Sequence, residues 1–479
     1  MPLARRTFVM RTAAVGAAVS VPMLAGSRLF GANEEIRVGV VGLGGRGLGA
    51  HVPGMQNQKA VRIVAIADPD AKRLGAAASV IDRNYQLKVD QYRDMRKLFE
   101  RQDIDVISNA TQNYWHGLST IWACQAGKHV YVEKPLSHYI WEGRQMVHAA
   151  RKYRRMVQCG TQHRSNGNFR AAAKWIREGH LGKITCVTAF ANKGRSSCGK
   201  LDKPLTIPAS VDFDLWCGPA KKAPIYRKNL QYDCSFDWNT GDGESCNQGV
   251  HEVDIARLVL GDVAELPRRV ISIGGRFVFN DACDVPNTQI IYYDFSEAPL
   301  LYELHNLTKG KDSRQMPDFR GRGVGVIVDC EGGWVDVYGA TAYDKQGKRI
   351  TAFRGPGEDH FANFIRAVRA GKREVLNAEV LVGQLSTRIC HVGNISLRVG
   401  APASVGEARQ RIGDLPRFAA LYDRFLEHLQ AHEVDPNTAI LGQWLQCDSA
   451  HECFKDDAKA NELVRGFYRA PYVVSDLSG

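Results

Sequence analysis

A chain of 479 residues with 44% hydrophobic and 24% charged side chains has room for two or three units of roughly 100–200 residues each and is too apolar to be disordered. Its formal charge of +12 is the difference between 63 basic and 51 acidic residues, with no basic run interleaved with aromatics, which excludes a nucleic-acid footprint. Twelve cysteines without a C-x-x-C pair exclude a disulfide framework of the small secreted kind, and buried free thiols are the default for most of them. Only "CDSAHEC", Cys447 to Cys453 with His451 between, is spaced closely enough to leave a disulfide, a metal site or neither open.

The first stretch, "MPLARRTFVMRTAAVGAAVSVPMLAGS", reads as a targeting segment rather than as fold. Arg5 and Arg6 form a twin-arginine pair before Phe8, and the apolar run from Thr12 to Gly26 is shorter than the roughly 20 residues of a bilayer span. Residues 1–33 are therefore expected to be an export signal and short linker, with no stable membrane span after cleavage and a periplasmic or other extracytoplasmic destination. A retained N-terminal anchor is the alternative.

Residues 34–155 carry the pattern of a dinucleotide-binding domain. "EIRVGVVGLGGRGLG" places an apolar strand, Ile36 to Val41, directly before Gly42-x-Gly44-x-x-Gly47 and a helix. In that context the backbone of Gly42, Leu43, Gly44, Gly45, Arg46 and Gly47 can approach a pyrophosphate at a helix N-terminus. A second strand, "VRIVAIADPD", ends at Asp68, about 20 positions after the last glycine, where a carboxylate accepts the adenosine ribose hydroxyls. That carboxylate would repel a 2′-phosphate, which favours NAD over NADP, although Lys72 and Arg73 lie close by. "IDVISNATQNYWHG" and "HVYVEKPLSHYIWEG" repeat the strand-then-helix pattern and predict a doubly wound parallel sheet. Thr111, Gln112, Asn113, His116, Glu133 and Lys134 then fall on its ligand-binding rim.

From residue 156 the pattern turns to strands, "KITCVTAFAN", "RRVISIGGRFVF", "NTQIIYYDF" and "LLYELHNL". They predict a large, mainly antiparallel open sheet in an α+β domain, 156–400, with one face free for a partner or substrate. Within it "GDGESCNQGVHEVDIARLVLG" predicts a helix from about Asn247 to Leu260. Asn247, His251 and Asp254 share one face of that helix. The stripe offers one imidazole and one carboxylate, short of the three or four ligands a zinc ion takes, so no metal is expected. "CGTQHRSN" adds Gln162, His163 and Arg164 as polar groups able to meet a hydroxylated substrate, Arg164 being equally suited to a salt bridge. Trp216 and Trp238 suit either a ligand ring or the core. Residues 401–479 read as a charged, mostly helical extension, a packing or oligomer element.

The glycine fingerprint, "ATQNYWHG" and "EKP" together resemble the Gfo/Idh/MocA oxidoreductases across roughly residues 34–400. The resemblance implies a Rossmann domain and an α+β domain, NAD or NADP, a sugar or cyclitol substrate, and homo-oligomers. It also implies that Lys134 lies between the nicotinamide and the reacting hydroxyl, stabilising the developing alkoxide; Glu133, next to it, reads as its orienting partner rather than a proton donor. His251 matches the family's acid or base. Four residues earlier the family has Asp, and this chain has Asn247, an amide that cannot take a proton but can hold a substrate hydroxyl.

These residues predict hydride transfer on a sugar or cyclitol, with Lys134 and His251 catalytic and Gln162, His163, Arg164, Asn247 and Asp254 around the substrate. Export away from soluble NAD favours a retained, internally recycled cofactor. One alternative is a redox-neutral glycosidase working by oxidation, elimination, water addition and reduction. Another is a non-catalytic cofactor-binding protein, which the Asn247 departure favours.

Overall fold

The computed structural model describes residues 34–478, so the twin-arginine segment lies outside the described residues. Six strands, β1 (Ile36–Val41), β2 (Val61–Ala67), β3 (Asp90–Tyr92), β4 (Val106–Asn109), β5 (His129–Val132) and β6 (Val157–Cys159), form one sheet in the order β3-β2-β1-β4-β5-β6. Every pairing in it is parallel. Unbroken apolar runs such as Val38 to Val41 suit strands covered on both faces. The helices at Val52–Gln56, Ala71–Tyr85 and His360–Ala370 cover one face, and those at Asn113–Gln125 and Ile140–Lys152 cover the other. Strand β6 extends this sheet past residue 155, and the helix His360–Ala370 joins it from far along the chain. The strand order reverses between β1 and β4, and the crevice where ligands bind such sheets opens there.

The second sheet has twelve strands. Strands β7 (Ile184–Asn192), β8 (Arg269–Gly275), β9 (Thr288–Tyr293), β10 (Leu300–His305), β11 (Val324–Cys330), β12 (Gly333–Asp336), β13 (Thr341–Asp344) and β14 (Arg349–Ala352) run in the order β14-β13-β12-β11-β7-β10-β9-β8. Only β7 and β10 pair in parallel; their neighbours are antiparallel. The helices Gly249–Val259 and Val380–Arg398 fill one face.

The other face, expected to be open, is covered at its centre by the helix Pro416–Ala431. Phe418, Leu421, Tyr422, Phe425 and Leu429 of that helix pack on Ile271, Ile290, Tyr292 and Leu301, each such side chain contributing about 1.5–3 kcal/mol on burial. Strands β8, β9 and β10 are in consequence buried on both faces. The residues after 400 are also less helical than their charge pattern predicts. Strands β15 (Ala401–Pro402), β16 (Ile440–Leu441), β17 (Leu445–Asp448) and β18 (Cys453–Phe454) extend the sheet edge. The chain then returns to lay Tyr472 and Val474 against the core of the parallel-sheet domain.

All twelve cysteines are free thiols, and His451 pairs with Asp448 rather than bridging Cys447 and Cys453. Trp216 belongs to the core and Trp238 lies under Arg398, so neither presents a face to the site. Among the described residues no helix is long and apolar enough to cross a membrane.

Candidate active site

The loop after β1 has the geometry a pyrophosphate needs. Gly42 has φ +81°, and a Cβ there would fall 2.5 Å from the Ala110 carbonyl oxygen. At Gly47 a Cβ would fall 1.9 Å from the Gly42 oxygen, so the helix can start only as glycine. A Cβ on Gly44 or Gly45 would meet nothing within 4 Å, which leaves open space for a ligand against bare backbone. Asp68 holds the loop. Its Oδ2 accepts the Leu43 N–H at 2.8 Å and its Oδ1 accepts the Asp70 N–H at 2.9 Å, each oxygen keeping a lone pair for a ribose hydroxyl. Burial pushes this carboxyl above the ordinary range, against those two N–H bonds. The residues present therefore fit a dinucleotide.

On the rim, Thr111 and Gln112 stay partly exposed, but two expected cofactor contacts are spent elsewhere. The Asn113 amide donates to Asp242 at 3.0 Å, across to the second domain. His116 is buried with Nδ1 2.7 Å from the Pro135 oxygen and Nε2 3.0 Å from the Thr111 oxygen, so it braces the rim peptides. Asp242 also receives His138 Nδ1 at 2.8 Å, which ties the loop after Lys134 to the segment leading into Asn247.

Lys134 follows β5, and its peptide bond to Pro135 is cis. Its ammonium donates to the Asn247 carbonyl at 2.8 Å and to Asn247 Oδ1 at 2.9 Å. Glu133, expected to orient that ammonium, instead accepts Arg46 Nε at 2.7 Å and meets His51 Nε2 at 3.0 Å, reaching Lys134 only through its backbone N–H. Burial pushes the Glu133 carboxyl up, but the His51 hydrogen bond and the charges of His51, Arg46 and Lys134 outweigh it and hold the group well below its ordinary value. Burial lowers the Lys134 pKa, opposed by the charges of Glu133 and Glu244. A neutral amide as direct partner does nothing to reverse that shift, whereas an aspartate there would.

Asn247 ends a first helical segment, Gly243–Asn247, and His251 and Asp254 lie on a second, Gly249–Val259. The single helix read from the pattern thus starts four residues early and breaks at Gln248. The Asn247 amide donates to Tyr232 Oη at 2.7 Å and to Glu244 Oε2 at 3.2 Å, and Arg195 grips Glu244 through Nε at 2.8 Å and Nη2 at 2.7 Å.

The His251 ring lies 4.8 Å from that of His163. Burial, then the charges of Lys134 and His163, keep His251 well below its ordinary pKa, so it is a neutral imidazole at pH 7. Its Nδ1 is buried without a hydrogen-bond partner among the described residues. His163 and Gln162 line a cavity of about 580 Å³ that also borders Arg46 and Tyr131.

Two expected substrate contacts are instead a structural pair. Arg164 Nε lies 2.9 Å from Asp254 Oδ2 and its Nη1 2.7 Å from Asp262, while Ser386 donates to Asp254 Oδ1 at 2.5 Å. With Asp254 fully buried and Arg164 5% exposed, neither group has a free polar atom to offer a sugar. Three polar positions at helical spacing therefore split into two that face the site and one that locks the core.

Several contributors had little signal in the sequence. His51, one helical turn past Gly47, could have been found on that spacing. Tyr232, Glu244 and Arg195 precede the helix without periodicity, and Tyr338 meets Glu252 across 86 positions.

Residues 36–161 match the family model described as Gfo/Idh/MocA oxidoreductase family, NAD-binding Rossmann fold. A glycosyl hydrolase family 109 protein of Bacteroides thetaiotaomicron is 34% identical over 131 residues, 26% of this chain and 27% of that protein. Another of Saccharopolyspora erythraea is 28% identical over 205 residues, 38% and 44% of the two chains. The matched stretches thus span less than half of these relatives. In solved structures, the WlbA dehydrogenase of Bordetella pertussis, in complex with NADH and UDP-GlcNAcA, aligns with a TM-score of 0.57 at 19% identity over 76% of this chain and 97% of its own. A levoglucosan dehydrogenase, in complex with NADH and levoglucosan, aligns at 0.56 and 18% over 75% and 96%. Likeness at that identity shows the fold, whereas the glycine loop and the EKP rim lie inside the family match. Residues 36–161 are therefore similar to the NAD-binding Rossmann domain of the Gfo/Idh/MocA oxidoreductase family.

Proposed function

We propose that the protein is an exported, NAD-dependent glycosidase that cleaves its substrate by transient oxidation, elimination of the aglycone, water addition and reduction. The observation that carries this reading is the pair of neutral imidazoles, His251 and His163, 4.8 Å apart near the Lys134–Asn247 unit. Oxidising a hydroxyl needs one proton acceptor. Elimination needs a second, for the C–H beside the new carbonyl.

In this reading Lys134 donates to the reacting hydroxyl oxygen and stabilises charge as it develops. Asn247 keeps the ammonium in place, and His251 takes the hydroxyl proton. NAD, when bound, supplies the hydride acceptor for the first step and the donor for the last. Asp68 supports NAD over NADP, since a carboxylate at that position disfavours a 2′-phosphate. The names of the family 109 relatives support a glycoside substrate, and the twin-arginine pair supports export of a folded protein with its cofactor already in place. A redox-neutral cycle suits a compartment without soluble NAD. The Asn247 departure fits a working site, because its amide is built into the Lys134 ammonium.

The second reading is a dehydrogenase of a free sugar whose retained cofactor is recycled by a second substrate. It uses the same Lys134 and His251 and needs no second base. Mass and absorbance of the cofactor released on denaturation, followed by assay on a panel of p-nitrophenyl hexosides and N-acetylhexosaminides in deuterium oxide, separate the two. Retained NAD, p-nitrophenol release without added cofactor, and deuterium on a ring carbon of the sugar are the expected results. Reduction of the cofactor by free sugars without aglycone release would favour the dehydrogenase, and absence of both NAD and turnover would sink both.

A further inference from the structure

A chain of polar groups leads away from the cavity behind His163. His163 Nδ1 lies 2.7 Å from Tyr338 Oη, and the Tyr338 hydroxyl donates to Glu252 Oε1 at 3.0 Å. With the phenol proton directed to the carboxyl, the phenolic oxygen accepts from His163. That arrangement puts the imidazole proton on Nδ1 and leaves the lone pair on Nε2. Among the described residues Nε2 has no hydrogen-bond partner, and His163 lines the cavity of about 580 Å³.

We propose that His163 is a second general base of this site, held in its Nδ1–H tautomer by the positioning residues Tyr338 and Glu252. The assignment rests on the glycosidase reading above and specifies its elimination step. There the C–H bond beside the transient carbonyl breaks and its proton bonds to Nε2. The electron pair left behind forms the C=C bond as the C–O bond to the aglycone breaks, and that bond's pair leaves on the aglycone oxygen, which is protonated from solvent. While the unsaturated intermediate lasts, the proton on Nε2 exchanges with solvent. In the water addition the hydroxyl bonds to the carbon that lost the aglycone, the water's proton goes to solvent, and the proton now on Nε2 bonds to the neighbouring carbon, so His163 ends the cycle as it began.

The surroundings suit that role better than those of His251. Burial lowers the His163 pKa, opposed by the charge of Asp254, which leaves a neutral imidazole able to accept. It is faced by His251 from the helix Gly249–Val259, by Phe169, and by His360 from the helix His360–Ala370. Glu252 is faced by Gln248, which donates to its Oε1 at 3.0 Å, by Tyr338 and Tyr302, and by Glu244. Burial pushes Glu252 up to about 8 over the hydrogen bonds from Gln248 and Tyr338. Once ionised, it stabilises the imidazolium that forms when Nε2 takes a proton, so turnover should rise as pH passes through about 8. His251 has no such relay, since its Nδ1 is unpartnered.

Tyr338→Phe tests the relay with little disturbance, because the ring that stacks on Phe169 at 4.8 Å is kept. The full chain with its retained NAD is assayed on the p-nitrophenyl glycosides across pH 6 to about 9, and nitrogen-15 shifts of His163 report its tautomer. NAD retention is expected to stay at the wild-type level, kcat to fall about 100-fold, the alkaline rise to vanish, and the fixed Nδ1–H tautomer to be lost. Glu252→Gln should flatten the same rise while keeping the carboxamide bonded to Tyr338. Unaltered kcat, pH profile and tautomer in Tyr338→Phe would overturn the proposal while leaving the glycosidase reading intact. A wild-type protein that releases no aglycone overturns that reading and the C–H step with it, while its His163 tautomer still decides whether the relay exists.

Discussion

Two carboxylates at opposite sides of the site are buried alike, Glu133 4% and Glu252 0% exposed, yet their charge states differ. Glu133 is met by Arg46, His51 and the Lys134 charge and stays ionised far below its usual value despite burial. Glu252 is met by a phenol and an amide, so burial prevails and carries it up to about 8. Burial sets the cost of the charge, and the partners decide whether it is borne. The cofactor side is accordingly a scaffold of fixed charges. The proposed substrate side, around His251, His163 and Glu252, is neutral at rest, with both imidazoles held below their ordinary pKa by burial, and neutral groups can exchange protons.

The most severe break falls on the scaffold. Gly47→Ala puts a Cβ 1.9 Å from the Gly42 oxygen, displacing the loop that must approach the pyrophosphate. Loss of all retained NAD, read by mass spectrometry after denaturation, is expected, and turnover with it; a Gly47→Ala protein that still carries NAD would refute the loop assignment. Lys134→Met spares the glycine loop and removes only the ammonium proposed to donate to the reacting oxygen. It should keep its NAD and lose about 10²–10³-fold in kcat, so normal turnover by this variant would remove Lys134 from the chemistry.

Asn247→Asp sharpens the contrast by placing a charge at the boundary of the two sides, between Lys134 and the Arg195–Glu244 pair. The replaced amide oxygen lies 2.9 Å from Lys134 Nζ, and a carboxylate there favours the ammonium. The pKa of Lys134, now lowered by burial, would rise, and the rate limb that reports its deprotonation should move to higher pH by roughly one unit. The shift is bounded because Glu244 Oε2, 3.2 Å from the replaced amide nitrogen, would repel the new charge. An unmoved limb in kcat against pH would show that Lys134 does not titrate in turnover.

The two sides were also unequally legible in the sequence. The parallel sheet and its loop follow from local rules: apolar strands, three glycines with distinct steric duties, an acid about 20 positions on. Lys134 and His251 emerged through motif likeness; the structure bonds Lys134 to Asn247 and sets the His251 ring 4.8 Å from His163. What the sequence hid was partner choice. Glu133 next to Lys134 suggests a pair, but the carboxylate turns to Arg46 and His51. The Tyr338–Glu252 contact needs the fold of β12 and its following turn onto the helix Gly249–Val259, a long-range closure with no period to read. Coverage of the second sheet by Pro416–Ala431 was hidden for a related reason. An amphipathic helix announces its apolar face but not what that face meets.

Arg164 and Asp254 give the smallest expected effect on turnover and the sharpest test of that distinction. Both sit beside groups assigned to the site, Arg164 next to His163 and Asp254 one turn after His251, yet they spend their polar atoms on each other, on Asp262 and on Ser386. Asp254→Asn keeps the shape and removes the charge, leaving Arg164 buried with only the half-exposed Asp262 as counter-ion. Breaking a buried pair from one side costs about 3 kcal/mol, so the urea midpoint should fall clearly while kcat of the folded protein at low temperature stays within about twofold. The opposite pattern, a stable protein with depressed kcat, would return Asp254 to the substrate. Proximity in sequence would then have been the better guide than the hydrogen-bond partners, and the boundary between the charged scaffold and the neutral face would have to be redrawn on the helix itself.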